Sequence, residues 1–507
     1  MPDNDNDIDP YADHVIVVGA GPAGLTAARH LARAGVAVTV LERDPVHVGG
    51  ISRTERYQGF RFDVGGHRFF SRSKEIEALW EEILGDQLIT RPRKSRILYD
   101  GKLFDYPLSA LDALTKLGFL ESCRCGFSYL RARVLPIRDP RSFEDWVVNQ
   151  FGRRLFDIFF KTYTEKVWGM KCREISADWA AQRIKGLSLG RAIRQALTPD
   201  FLRRRQSTPK TLIESFRYPR LGPGQMWEAA AAQVRAAGGR VLLDRNVEGL
   251  VRDEHGAGWR IRARDSGGET HEFSGQRVIS SIALRDLADC FEPPPPEPVL
   301  TAARSLRYRD FLTVALIVRD VDCFDDNWIY IHERGVKVGR IQNFKSWSPH
   351  LVPDPDLNCL GMEYFCFEGD GLWEMQDDAL VRLADEELIR LGLVPPGHVI
   401  DGRVIRQRKA YQERIALFRS WLERERPGLH PVGRNGMHKY NNQDHAMMTA
   451  LLTAENILAG EDAWDVWRVN EDAEYHEAGD DRALALQGAR LVPGRLDSTR
   501  DEPDPVA

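Results

Sequence analysis

Between His14 and Glu42 the chain reads HVIVVGAGPAGLTAARHLARAGVAVTVLE: an apolar run, a glycine-bearing turn, an amphipathic stretch, a second apolar run and a closing acid. Short apolar runs bounded by glycine predict buried strands, and the amphipathic stretch between them predicts a helix, so the segment is a βαβ unit. A helix-rich region follows from about Leu108 to Ile213, carried by SALDALTKLGFLESCRCGFSYLRARV and FEDWVVNQFGRRLFDIFFKTYTEKVW, and it reads as an insertion. FRYPRLGPGQMWE, from Phe216 to Glu228, introduces another helix that ends at Ala236-Ala237-Gly238-Gly239. The runs RVLLDRNVEGLVRD, WRIRARD and QRVISSIAL then predict strands that rejoin the first sheet. From Tyr308 to about Val404, FLTVALIV, NWIYIHE, KVGRIQNF and CLGMEYFCF set β-branched and aromatic runs between turn residues, as a mostly antiparallel sheet requires. A glycine-bearing turn finally leads into an apolar helix in GRNGMHKYNNQDHAMMTALLTAENILAG. No internal repeat is visible.

The glycines of the first unit specify its chemistry. Gly19 permits a tight strand-to-helix turn, Gly21 lets backbone approach a pyrophosphate at the helix N-terminus, and Gly24 allows helix to pack closely on strand. Glu42, at the end of the second strand, is placed for a ribose hydroxyl. Val48-Gly49-Gly50-Ile51-Ser52-Arg53-Thr54 brings flexible backbone to the ligand a second time. An extended FAD needs that contact and a nicotinamide dinucleotide does not. The expected architecture is therefore α/β: a Rossmann-type FAD-binding domain built from residues 13–107, 214–300 and 425–462, a helical insert at 108–213 with a mobile flap, and an antiparallel-sheet substrate domain at 301–424. Residues 1–12 and 489–507 are expected to be disordered.

Composition narrows the classes. At 507 residues, 43% hydrophobic and 29% charged, the chain can bury a large core. A net charge of −5 gives no global reason for nucleic-acid binding. Cys123, Cys125, Cys172, Cys290, Cys323, Cys359 and Cys366 are scattered, with one CxC and no second pair, so no zinc or other metal site is expected and a reduced, cytoplasmic compartment is. No apolar run approaches the ~18 residues of a membrane span, and MPDNDNDIDP lacks the pattern of a signal peptide.

Four passages, in this order, carry a family resemblance: Phe62-Asp63-Val64-Gly65-Gly66-His67-Arg68-Phe69-Phe70-Ser71; Tyr163-Thr164-Glu165-Lys166-Val167-Trp168; FRYPRLGPGQMW; and Asn442-Gln443-Asp444-His445. With them the stretch from His14 to about Gly460 resembles the UDP-galactopyranose mutases, the eukaryotic-type branch most, within the FAD-dependent amine oxidase and protoporphyrinogen oxidase superfamily. The resemblance implies an isomerase in glycan or cell-wall biosynthesis that interconverts pyranose and furanose nucleotide sugars on reduced FAD, through an adduct at flavin N5. It implies a site of arginines and tyrosines that neutralise a diphosphate rather than a catalytic triad.

Residue by residue, the resemblance makes Arg183 and Arg340 the diphosphate arginines and puts His67 against the flavin as the third catalytic residue. It places Tyr106, Tyr163, Thr164, Trp168, Tyr330, Tyr411 and Tyr440 around the substrate. Its cofactor set is Gly19, Gly21, Ala23, Gly24, Glu42, Arg43, Gly49, Gly50, Ser52, Gly65, Gly66, His67, Val247, Gly433, Arg434, Asn442, Gln443 and Asp444, with the positive end of the last helix beside the reduced flavin. Leu108-Ser109 replaces the aromatic and amide pair the family presents to uracil, which leaves base and sugar open, a deoxyhexose or pentose included. NAD(P)H is an admissible reductant, although no second dinucleotide fingerprint exists. The run Arg203-Arg204-Arg205 falls where the family carries its closing flap and is left unassigned, and a homo-oligomer is left open. Two competing classes are a flavin oxidase or dehydrogenase, which would show an apolar aromatic cage without a diphosphate clamp, and a non-catalytic FAD-binding escort protein.

Overall fold

A computed structural model describes residues 14–106, 108, 110–177, 215–253, 258–306, 308–321, 323–412, 416–439 and 441–470. Both termini expected to be disordered, Arg183, Arg203 to Arg205 and Tyr440 lie outside these residues; Tyr411 is described in its backbone alone.

The βαβ unit forms as its pattern dictates. Strands His14–Val18 and Ala37–Leu41 pair in parallel across helix Pro22–Arg33. Three later segments join them, giving a five-stranded parallel sheet in the order Leu429–Pro431, Arg277–Ser280, His14–Val18, Ala37–Leu41, Arg240–Leu242. Both faces of this sheet are covered, which is why its strands are continuously apolar. Val15 and Val17 pack with Leu25, Leu31, Trp227 and Met447 of three helices, while Ile16 and Val18 turn to a second cluster with Leu41, Val247 and Trp259. That second cluster lies under a four-stranded sheet of Thr270–Gly275, Trp259–Arg264, Asn246–Arg252 and Phe291–Glu292.

The other large sheet has seven strands, in the order Val399–Gln412, Tyr308–Arg319, Leu357–Cys366, Arg340–Asn343, Trp328–Ile331, Ser95–Tyr99, Lys102–Asp105. Every neighbouring pair is antiparallel except Trp328–Ile331 with Ser95–Tyr99. The last two strands correct the boundary drawn at residue 107: a hairpin expected to belong with the dinucleotide unit extends the antiparallel sheet instead. Pairing of Ile97 with Tyr330, an edge contact that no local pattern announces, decides it.

Period-2 alternation splits this sheet into two faces. Leu312, Val314, Ile329, Ile341, Met362 and Tyr364 pack toward Leu380, Ala384 and Leu388 of helix Asp377–Arg390. On the opposite face the register sets Tyr330, Arg340, Glu363 and Thr313 side by side across four strands. Helix Ala110–Leu117 packs on strand Lys102–Asp105 and helix Thr162–Trp168 on strand Leu357–Cys366, while Phe119–Val134 and Phe143–Phe151 pack on each other. A π-helical turn at Asp157–Lys161 precedes Thr162–Trp168, a feature that re-aims the side chains after it.

Candidate active site

Two of the glycines that define the first unit, Gly19 and Gly24, are sterically obligatory. A Cβ on Gly24 would stand 1.8 Å from the Gly19 carbonyl oxygen, and Gly19 itself holds φ +99°. Gly21 begins the helix without a side-chain cap, and no acid lies in the first turn, so the N-terminal amides are presented to an anion. Gly49 and Gly50, both at positive φ, bring their turn to Gly21, with a Cβ on Gly50 falling 3.4 Å from the Gly21 Cα. The Glu42 carboxylate accepts from the amides of Ala20 at 2.6 Å and Asp44 at 2.9 Å. Burial pushes it above the usual carboxylate range. Neighbouring Arg43 is exposed, Val247 packs beside Leu41, and Ala23 faces Gly433, whose Cβ would come within 2.9 Å of it.

At the opposite end, Asn442 caps the Gln443–Ala459 helix, and Asp444 accepts a hydrogen bond from Ser71 at 3.0 Å. Gln443 buries both polar atoms of its amide with no protein partner, a cost of about 1–3 kcal/mol that a polar ligand would remove. Backbone cradle, bare helix N-terminus, buried acid and orphaned amide together fit an extended dinucleotide such as FAD.

Between these ends runs the loop Val64 to His67. Its close packing requires small residues: a Cβ on Gly66 would fall 2.7 Å from the Gln342 amide, and Gly65 sits at φ +87° against Phe311. His67 Nε2 lies 3.0 Å from the Val64 carbonyl and its Nδ1 3.4 Å from Ser52 Oγ. Burial lowers the imidazole to about 4, with the charges of Arg340 and Arg434 acting in the same direction, so it is neutral at physiological pH. That shared influence brings His67, Arg340 and Arg434 into one electrostatic neighbourhood. Arg434 also reaches the Asn441 carbonyl at 3.4 Å.

Arg340 is not a free cation. Its Nε and Nη2 donate to Glu363 at 2.8 and 2.6 Å, and Gln342 donates to the other carboxylate oxygen at 2.9 Å. The Glu363 side chain is 0% exposed and that of Arg340 21%. The carboxylate anchors one edge of the guanidinium and fixes its orientation. Beside Arg340 stands Tyr330, which packs against Tyr106 at 4.8 Å and edge-on against Tyr163 at 5.3 Å. Tyr163 stacks on His332 at 5.1 Å, and burial lowers His332 to about 3. Thr164 is buried on the same helix, and Trp168 packs with Val64 and Phe311 beneath the His67 loop.

Of the expected substrate residues, Tyr106, Tyr163, Tyr330 and Arg340 thus converge, with His67 beside them. The backbone of Tyr411 pairs with Arg309 at one end of the sheet. The sequence reading missed Glu363, although one acid inside the apolar run CLGMEYFCF was a usable signal. It also missed Asp63, fully buried and hydrogen-bonded by Tyr218 at 2.6 Å. Burial raises Asp63 well above the carboxylate range, and the Glu363 charge adds to the effect. FRYPRLGPGQMW proves to be scaffolding: Tyr218 holds Asp63, Gly222 and Gly224 let the chain close on Thr54, and Trp227 supports Gly49.

A protein described as a UDP-galactopyranose mutase in Klebsiella pneumoniae is 28% identical over 176 residues, 32% of this chain and 43% of that one. One described as a flavin-containing monoamine oxidase in Mycobacterium tuberculosis is 31% identical over 309 residues, 57% of this chain and 61% of that one. The matches therefore span less than two thirds of either relative. The crystal structure of a reduced UDP-galactopyranose mutase superposes with a TM-score of 0.72 at 20% identity, covering 88% of this chain and 94% of that one, which shows a shared fold. The sequence model of the flavin containing amine oxidoreductases matches residues 22–401, most of the chain. The protein accordingly belongs to the flavin containing amine oxidoreductase family, whose chemistry depends on the FAD that its glycine-lined cradle fits.

Proposed function

We propose that the protein is a nucleotide-sugar mutase that interconverts pyranose and furanose rings. The observation that carries this reading is the placement of Arg340, held by Glu363, next to Tyr330 and within electrostatic reach of His67. Similarity to the Klebsiella pneumoniae protein supports it. FAD, when bound and reduced, supplies the nucleophile that displaces a nucleoside diphosphate from the anomeric carbon.

The chain's own residues do the rest. Arg340 binds the diphosphate and meets the charge that grows on it as the glycosidic bond breaks, while Glu363 keeps the guanidinium from reorienting during that step. Tyr330, Tyr106 and Tyr163 wall the sugar and exclude water. His67, neutral, holds the Gly65-Gly66 loop by its bond to Val64. Arg183, Tyr411 and Tyr440, carried over from the family resemblance, are the further phosphate contacts of this reading.

The test is isomerisation of a panel of nucleoside diphosphate hexoses and pentoses by dithionite-reduced protein, read by chromatography. Arg340→Ala should lower turnover on the order of 100- to 1,000-fold while FAD remains bound. Loss of FAD from that variant would show the site misplaced. A second reading, an amine oxidase or dehydrogenase, is favoured by the three-tyrosine cluster together with a guanidinium already matched by a carboxylate. Oxygen consumption with an amine, and no isomerisation of any sugar, would establish it.

A further inference from the structure

The Phe119–Val134 helix is mounted with its small residues inward and its large apolar residues outward. Cys125 and Ala132 are buried against the following helices, at 5% and 7% exposure. Phe119, Leu120, Phe127, Leu130, Val134 and the adjoining Leu135 are 62–81% exposed. Half of the large apolar residues exposed among the described residues thus fall in this one stretch. They are not scattered: Leu120, Cys123, Phe127, Leu130 and Val134 follow one another at intervals of three and four, which aligns them as a single stripe. Sixteen residues make the helix about 24 Å long.

Rotation cannot hide the stripe. A Cβ on Gly152, at φ +82°, would fall 2.7 Å from the Tyr129 amide nitrogen, so the helix backbone lies directly on the next helix junction. Ser128 Oγ accepts from the Arg154 amide at 3.0 Å and fixes the same face inward.

Charge selects the occupant. Arg124 and Arg131, seven residues apart, border the stripe along one side, and Arg133 lies near its end, all exposed. Glu121, the helix's one acid, is paired with Arg154 and Arg124. Two copies seated stripe to stripe would bring these arginines together with only Glu121, already shared with Arg154, to offset them, whereas an anionic surface matches both the charge and the apolar face. No described helix is long and apolar enough to cross a membrane. We propose that this stripe is a lipid-binding surface that seats the protein on an anionic bilayer, with the Phe119–Val134 helix lying in the plane of the interface.

The test is sedimentation of the FAD-loaded protein with vesicles of phosphatidylcholine alone or with 30 mol% phosphatidylglycerol. Binding should require phosphatidylglycerol. It should fall at least about 100-fold in Phe127→Glu/Leu130→Glu, with flavin absorbance unchanged. Arg124→Gln/Arg131→Gln should cost on the order of 30-fold. A polarity-sensitive dye on Cys123, the one exposed cysteine of the seven, should shift to the blue on vesicles. Equal binding to both vesicle types would overturn the proposal. So would no binding by a monomer, or a dimer that Phe127→Glu/Leu130→Glu dissociates, the last assigning the stripe to a second copy.

Discussion

The cofactor cradle and the proposed substrate face are built in opposite ways. The cradle is mostly backbone: one 29-residue segment supplies the strand, turn, bare helix end and acid, and its glycines act by what they omit. The substrate face is side chain throughout, with Tyr106, Tyr163, Tyr330, Arg340 and Glu363 brought from five segments by sheet register and one covering helix. A backbone site tolerates no added atom, whereas a side-chain site depends on the partners that hold each group. In the proposed mechanism Arg340 depends on Glu363 for its orientation.

That contrast breaks most sharply at Gly24. Gly24→Ala forces a methyl into the Gly19 carbonyl and should cost ~3 kcal/mol or more, with flavin absorbance at purification falling to baseline. A variant that keeps its flavin would show the turn to be softer than its geometry. On the proposed substrate face, Glu363→Ala removes the buried carboxylate that pairs with Arg340; about 3 kcal/mol of stability should go, and turnover with it, while FAD stays bound. Chemical denaturation alongside flavin content separates these outcomes.

His67 joins the two regions, and acid should reveal it. Its folded value, about 4, lies below the ~6.5 of an unfolded histidine, so the unfolded chain binds the extra proton and stability falls as pH drops from about 6.5 toward 4. Between pH 7 and pH 5 the loss should be about 2 kcal/mol, and His67→Asn should abolish that share. Thermal melts of both proteins at the two pH values decide it, since an identical acid response would place the titration elsewhere. The smallest effect is expected from Tyr330→Phe, which keeps the ring packing and removes the hydroxyl. About 1 kcal/mol, or fivefold in KM, should be lost without change in flavin content. A larger loss of stability would make Tyr330 a core residue.

Legibility followed the same division. Gly19, Gly21, Gly24 and Glu42 were readable because each acts within one local unit whose spacing is fixed by strand and helix geometry. The seven-stranded sheet was readable as antiparallel, but its Ser95–Tyr99 and Lys102–Asp105 hairpin was assigned to the wrong unit, because edge pairing leaves no periodic mark. Glu363 and Asp63 were passed over since an acid in an apolar strand gains meaning only from what stands opposite it.

By itself, then, the sequence determined the dinucleotide unit and the order of helical and sheet regions, because these rest on periodicity and on glycines whose effect is local, while Arg340 and His67 became candidates through the family resemblance. The tertiary structure alone decided that Arg340 is clamped by a buried carboxylate, that three tyrosines meet beside it and that the Phe119–Val134 helix turns its apolar stripe outward. Those facts depend on register and on which helix face finds a partner, and both are settled by packing between segments far apart in the chain.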